Sequence, residues 1–303
     1  MQTPSNRRRL GLLAMTMAAL GALPGCAMHN DEDHTSDDAP KARDPERTAP
    51  VWPQRIRTLV LSSGGPRGYV HIGVLKALDE LKLRPDLVVG ASVGALVGAL
   101  YADGASGSEI EKLAHGLSPL ALARLSIGSS ERLDSTPLAQ WLRVQLSTPY
   151  LERLATPFAP VAIERASRRP VAFVAGDVGL AVRASSAIEG LYTPVRIRGT
   201  PYIDADLACP LPVRVARRLG AVRVLAVDAS AHEDRAPAGA ERFREGDLRK
   251  RATIAPDAAA ADVYLHPDFG YWVSTSREFR ERAIEAGYRD TLAAAAALRT
   301  RWA

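Results

Sequence analysis

Ser92 sits between two glycines in Gly90-Ala91-Ser92-Val93-Gly94, and the residues on either side say what its hydroxyl could do. Asp86 to Ala91 is an apolar, β-rich run, and Val93 to Tyr101 is apolar all round, the pattern of a buried helix. A serine on a strand-to-helix turn is pushed out of the backbone's path and faces the positive end of the helix dipole. That is the setting of an activated nucleophile. One strand earlier, Arg57 to Ser62 runs straight into Ser63-Gly64-Gly65-Pro66-Arg67-Gly68. Val70, Val74, Leu78 and Leu81 then recur at helical spacing, which predicts a helix over 69–83. Such a loop at a helix N-terminus offers free N–H groups to an anion. The lysine and Ser/Thr of a nucleotide phosphate loop are missing, and so is the dinucleotide glycine spacing. An oxyanion suits the loop better than a nucleotide.

A nucleophilic serine needs a base. In Tyr202-Ile203-Asp204-Ala205-Asp206 the two aspartates are two apart and share a face of an extended segment, so spacing does not choose between them. Of the histidines, His71, His115 and His266 read as structural or surface residues. His232, after the strand 221–228, is the one that could complete a Ser–Asp–His order.

Ser92 lies on only the second strand of its domain, whereas the α/β-hydrolase nucleophile follows several. The order of motifs resembles the patatin-like phospholipase family, which carries G-G-G-x-R-G after the first strand, G-x-S-x-G after the second and D-G-G or D-G-A much later. The tract from Ala184-Ser185-Ser186-Ala187 through Asp204 to Pro210-Leu211-Pro212 and the strand from Ala221 to Asp228 is similar to the family's late segment. The resemblance covers about residues 57–230. It implies a three-layer α/β sandwich with a mainly parallel sheet. It also implies a serine lipid acyl hydrolase, a phospholipase A, lysophospholipase or esterase, working through an acyl-enzyme without cofactor or metal. Ser92 corresponds to the nucleophile and Asp204 to the base, with Gly64, Gly65 and Arg67 at the oxyanion hole and the N–H of Val93 beside them. An acyltransferase would use the same acyl-enzyme, and a non-catalytic lipid-binding lipoprotein is the reading from another class. Ser63 stands where the first glycine is usual, Ala205 where the glycine after the aspartate is usual, and Asp206 where a small residue is usual. Were the Asp204–Ala205 turn to need positive φ, alanine would cost about 1 kcal/mol or more there.

The rest of the chain must position these residues. Its 303 residues, 47% hydrophobic and 24% charged, suffice for a sizeable core and exclude a wholly disordered or collagen-like chain. Two cysteines, Cys26 and Cys209, exclude a disulfide framework. The formal charge of +5 loses much of its meaning at the N-terminus, because removal of Arg7, Arg8 and Arg9 leaves 36 basic against 34 acidic residues. No basic helix or aromatic-interleaved patch supports nucleic-acid binding. No metal-ligand spacing and no obligate protein partner is legible.

Arg7-Arg8-Arg9 and the 14-residue apolar run from Leu10 to Leu23 read as a signal peptide over 1–25. That run is too short for a spanning helix, which needs about 20 residues. Leu23-Pro24-Gly25-Cys26 resembles a bacterial lipobox, so Cys26 is the expected lipidation site. Ala27 in place of aspartate after it favours the outer membrane of the cell envelope. Residues 26–50, rich in acid and poor in large apolar side chains, are expected to be a disordered tether, with His29 and His34 solvated in it. The catalytic domain is expected over 51–303. Within it, Ser135-Thr136-Pro137 reads as a helix start with a serine cap, and Leu138, Trp141, Leu142 and Leu146 form a stripe that is either core or the wall of an acyl pocket. Residues 158–174 read as two strands joined by a basic turn, 232–256 as an irregular charged excursion and 277–301 as helix. Metabolic palmitate labelling should mark the wild-type protein and be lost in Cys26→Ser. Label that persists in the mutant would remove the anchor.

Overall fold

The computed structural model describes residues 32–303 apart from 46, 48–50, 53–54, 118 and 127–130. Cys26, with the leader and the first part of the expected tether, lies outside the described residues.

Apolar runs without alternation make strands that are buried on both faces. Strand β1 (Arg55–Leu61) and strand β2 (Leu87–Ala91) run parallel, with Leu61 opposite Gly90. Leu59, Leu61 and Val88 join one apolar layer, while Val60, Leu87 and Val89 join the other. Strand β3 (Phe158–Glu164) lies parallel beside β2, and β4 (Pro170–Phe173) returns antiparallel along it. The hairpin of β5 (Val195–Ile197) and β6 (Thr200–Ile203) adds to β3 through β6. On the far side of β1 come β7 (Ala221–Val227) and β8 (Val263–Leu265), both parallel. The order is β5-β6-β3-β2-β1-β7-β8. Strand order reverses at β1, the topological position at which parallel sheets open a crevice beyond their carboxyl ends.

Helices close both faces. α1 (Tyr69–Glu80), α2 (Val93–Ala102), α3 (Gly107–Gly116), α4 (Thr136–Gln145) and α5 (Val178–Ser185) contribute to one apolar layer. α6 (Val213–Leu219) and α7 (Glu241–Ala259) contribute to the other, and α8 (Arg277–Ala293) packs on α1 in the first. The molecule is therefore a three-layer α/β sandwich with a mainly parallel sheet. Among the described residues no helix is long and apolar enough to cross a membrane.

The pairing around β3 positions the site. β4 occupies one edge of β3 from Val161 to Ile163. Along the other edge β2 arrives from one end, pairing Ala91 with Val161, and β6 arrives from the other, pairing Ile203 with Ile163. The two strands run head to head and stop about one residue apart. The next residues are Ser92 and Asp204.

Three expectations change. Residues 32–45 are docked on the domain: Asp33–His34 pairs with β5, Ala42–Arg43 pairs with β4, and Ala39 is buried. A polar segment that cannot build a core can still satisfy the open N–H and C=O groups of a sheet edge. The stretch 232–256, expected to be irregular, holds most of the 19-residue α7. Only Ile254 and Asp257 of α7 are buried, so it has little apolar periodicity to read, and helix-forming Arg, Glu, Lys and Ala carry it. At the start of α4 the cap is Asp134, whose Oδ1 accepts from the Thr136 N–H at 2.9 Å, and not the hydroxyl of Ser135.

The chain's last turn is also core. Trp302 is fully buried and its Nε1 donates to the Thr58 carbonyl at 2.9 Å, pinning the C-terminus to β1. Trp302→Ala should cost about 3–5 kcal/mol in denaturant unfolding, the scale of a large buried aromatic lost to a cavity. Trp302→Phe should cost less, chiefly through the unpaired carbonyl.

Candidate active site

Ser92 has φ 53° and ψ −120°, a left-handed conformation that strains a residue with a Cβ. Close packing at both glycines holds it there. A Cβ on Gly90 would lie 2.5 Å from the Gly94 carbonyl oxygen, and one on Gly94 would lie 2.3 Å from that of Leu61. The turn is also held from below. The Ser92 N–H donates to Ser185 Oγ at 2.9 Å, and that hydroxyl donates to the Val161 carbonyl at 2.6 Å. Ser185 ends α5 and is fully buried, so it ties helix, elbow and β3 together. Its place in an Ala-Ser-Ser-Ala run is visible in sequence, but its partners are not.

Ser92 Oγ donates to Asp204 Oδ2 at 2.6 Å. The other oxygen, Oδ1, accepts from the Asp206 N–H at 2.7 Å, while the Asp204 N–H donates to the Ala187 carbonyl at 2.8 Å. Asp204 is 3% exposed. Burial outweighs the hydrogen bonds from Ser92 and Asp206 and pushes its carboxyl up to about 7. Ala205 is buried at the start of a one-turn 3₁₀ segment, Ala205–Leu207, with negative φ. The alanine in place of glycine therefore meets no backbone penalty.

Asp206 points elsewhere. Its Oδ1 accepts from Lys250 Nζ at 2.6 Å and from the Ser63 hydroxyl. Burial raises its pKa, but the Lys250 ammonium and these hydrogen bonds outweigh that and hold it below the ordinary carboxylate value. The contact, not the spacing, selects Asp204 as the serine's partner.

The glycine loop lies at the reversal point of the sheet. Gly65 has φ 54°, and Gly65, Pro66 and Gly68 line a cavity together with Ser92. The N–H groups of Gly64 and Gly65 hydrogen-bond to no other group among the described residues. The Arg67 N–H donates to the Gly64 carbonyl at 3.1 Å, which closes the turn. The Arg67 guanidinium reaches the Tyr271 carbonyl at 3.4 Å and does not line the cavity. Arg67 thus braces the loop against the segment after β8, and its backbone N–H is taken up by the turn rather than aimed at the cavity.

That cavity has a volume of about 310 Å³ and is apolar, walled by Ile72, Leu96, Leu100, Ile110, Leu138 and Trp141 among others. The α4 stripe divides: Leu138 and Trp141 face the cavity, while Leu142 and Leu146 belong to the buried core without lining it.

Among the described residues no histidine hydrogen-bonds to Ser92 or Asp204. His71 is buried with Nε2 donating to the Ser62 carbonyl at 2.9 Å, and burial drives its pKa down to about 4, so it is neutral. His232 stacks on His266 at 3.7 Å between ring centres. His115 lies 3.9 Å from Glu111. Cys209 is a buried thiol that burial pushes up to about 12. No group of three or more His, Cys, Asp or Glu side chains among the described residues is placed to hold a metal ion.

A hydroxyl held on a carboxylate, at the wall of an apolar cavity beside free N–H groups, fits the family whose model matches residues 59–217, the patatin-like phospholipases. The match spans more than half of the chain, and the chain belongs to that family. It is similar to an uncharacterized NTE family protein of Mycobacterium bovis, 32% identical over 181 residues, which are 58% of this chain and 49% of that protein. It is also similar to lysophospholipase NTE1 of Coccidioides immitis, 30% identical over 191 residues, 60% of this chain and 12% of that one. The chain thus spans about half the length of the mycobacterial relative. Among solved structures, VipD from Legionella pneumophila has a TM-score of 0.51 at 16% identity, covering 80% of this chain and 67% of that one, a likeness of fold.

Ser185→Ala should leave a buried N–H and a buried carbonyl without partners. A loss of about 1–3 kcal/mol in urea unfolding is expected. An unchanged midpoint would show that the elbow is held by its glycines alone.

Proposed function

We propose that the protein is a serine lipid acyl hydrolase, cleaving an acyl ester of a phospholipid or lysophospholipid with Ser92 and Asp204 as its dyad. The observation that carries this reading is the 2.6 Å hydrogen bond from Ser92 Oγ to Asp204 Oδ2 at the wall of the apolar cavity. The acyl chain would lie in the cavity with its ester carbonyl over Ser92. Ser92 Oγ attacks the carbonyl carbon as Asp204 Oδ2 takes its proton. The N–H groups of Gly64, Gly65 and Val93, at the positive end of α2, hold the tetrahedral oxyanion. Collapse expels the alcohol, which recovers the proton from Asp204. Water then attacks the acyl-enzyme, gives a proton to Asp204 and releases the fatty acid as Ser92 is restored. A carboxylate raised to about 7 is a stronger base than an ordinary aspartate and still ionised over the upper half of the working range.

A lipid substrate at a surface suits the cavity's surroundings. Ile188 lines the cavity and is exposed, as are Leu191 beside it, Leu207 after Asp204, and Trp272 and Val273 just before the cavity residue Thr275. Exposed apolar side chains gathered at the rim of an apolar cavity mark a lipid-facing surface. A lipidated Cys26 would hold that surface at the outer membrane. The lysophospholipase name of the Coccidioides relative supports the lysolipid option.

A fluorophosphonate probe should label the wild type and not Ser92→Ala. Asp204→Asn should lower turnover of a short-chain p-nitrophenyl ester on the order of a thousandfold, whereas His232→Ala keeps most of it. Because only the carboxylate accepts a proton, kcat/KM should rise with pH through an apparent pKa of about 7 and then level off. A larger loss in Asp206→Asn than in Asp204→Asn, with both folded, would move the base to Asp206.

A further inference from the structure

Two positions at which this chain carries a polar side chain where its family's motifs carry a small residue, Ser63 and Asp206, are far apart in sequence and touch in the fold. The Ser63 hydroxyl donates to Asp206 Oδ1, and the Ser63 N–H donates to the Pro210 carbonyl at 2.9 Å. A third residue completes the cluster from a different element. Lys250, on α7, puts Nζ 2.6 Å from the same Asp206 oxygen and 3.4 Å from Ser63 Oγ. Glycines at 63 and 206 would leave Lys250 with neither partner. We propose that Lys250 is a positioning residue for the dyad, neutralising and clamping Asp206 so that Asp204 keeps its orientation toward Ser92 without the full repulsion of a second carboxylate.

The geometry gives two routes for this effect. Asp206 donates its N–H to Asp204 Oδ1 at 2.7 Å, which turns Oδ2 toward Ser92. Clamping the Asp206 side chain between Ser63 and Lys250 fixes the direction of that N–H. The second route is charge. The groups that act on Asp204 are the Ser92 hydroxyl from the elbow, Asp206 from its own loop and Lys250 from α7; the Asp206 N–H lowers its pKa, the Asp206 carboxylate raises it and the Lys250 ammonium lowers it. Arg67, across the glycine loop, acts on Asp206 and is itself faced by Asp247 and Tyr271. Lys250 is 22% exposed and Asp206 46%, so their ion pair adds little to stability. Its consequence lies in the protonation of the neighbouring base, where an unpaired carboxylate would favour the form that cannot accept a proton.

The proposal rests on the dyad reading, and its deciding test is a titration that needs no turnover. Full-length protein carrying ¹³C-labelled aspartate carboxyls is titrated by NMR, with the Asp204 signal identified by its loss in Asp204→Asn. Lys250→Met should raise the Asp204 midpoint by roughly one pH unit, through an uncompensated Asp206. Asp206→Asn should lower it by a similar amount, through an uncompensated Lys250. The double variant and Lys250→Arg should both return near wild type. In ester turnover, Lys250→Met should then be about fivefold slower at pH 7 and recover by pH 9, as the base is again ionised. Loosened packing cannot produce shifts of opposite sign. An unmoved midpoint in Lys250→Met, or shifts of the same sign in both variants, overturns the proposal. If the shifts appear and no ester is turned over, the coupling stands and the substrate reading fails.

Discussion

Two strands meet head to head on one edge of β3, and the chemistry depends on that meeting. β2 stops opposite Val161 and β6 stops opposite Ile163, so Ser92 and Asp204 are the first residues free of the ladder on either side of the gap. A parallel strand delivers the Ser92 hydroxyl and an antiparallel one delivers the Asp204 carboxylate. Their 2.6 Å contact is a property of sheet register, and a one-residue slip in either strand would turn its functional side chain to the other face. The buried stretches of β1, β2, β3 and β7 supply the apolar area that keeps this register.

The site itself is unfavourable and is held by its surroundings. Ser92 occupies a strained backbone conformation, and Asp204 is a carboxylate withdrawn from water. Both are tolerated because neighbouring groups over-determine them: two glycines and Ser185 at the elbow, and the Asp206 N–H and the Ser92 hydroxyl on the Asp204 carboxylate. The same burial that costs stability raises the basicity that the proposed dyad requires of Asp204. Function and instability share one physical cause here.

Charge near the base is balanced over a wider set of elements than the motif contains. Asp206 would be a liability beside Asp204 were it not paired, and its pairing draws in Ser63 at the start of the glycine loop and the otherwise loosely packed α7. Arg67 has a similar architectural part, bracing the loop against Tyr271. Basic residues around this site act first on the protein's own groups.

Much of this was legible in sequence where physics is local. Strand runs, the glycine loop, the elbow and its helix follow from apolar pattern and glycine placement, and the three-layer fold was implied by the resemblance that the order of the motifs carries. Cavity and core positions of the α4 stripe, the capping role of Asp134 and the helix in 241–259 were not, because exposed helices lack periodicity and caps depend on which of two neighbours reaches the N–H. The docking of residues 32–45 was missed for a related reason: sheet edges bind backbone, and composition reports only side chains. Sequence by itself determined the strand-to-helix turn at Ser92, which is written in contiguous residues, and the motif order carried the resemblance that implied the fold class. Spacing left Asp204 and Asp206 open and only the resemblance pointed to Asp204; the tertiary structure supplied its contact with Ser92, recruited Ser185 and Lys250, and left Arg67 out of the cavity wall. Those outcomes rest on contacts between residues 44 to 204 positions apart, which only the packed sheet and helices bring within hydrogen-bonding distance.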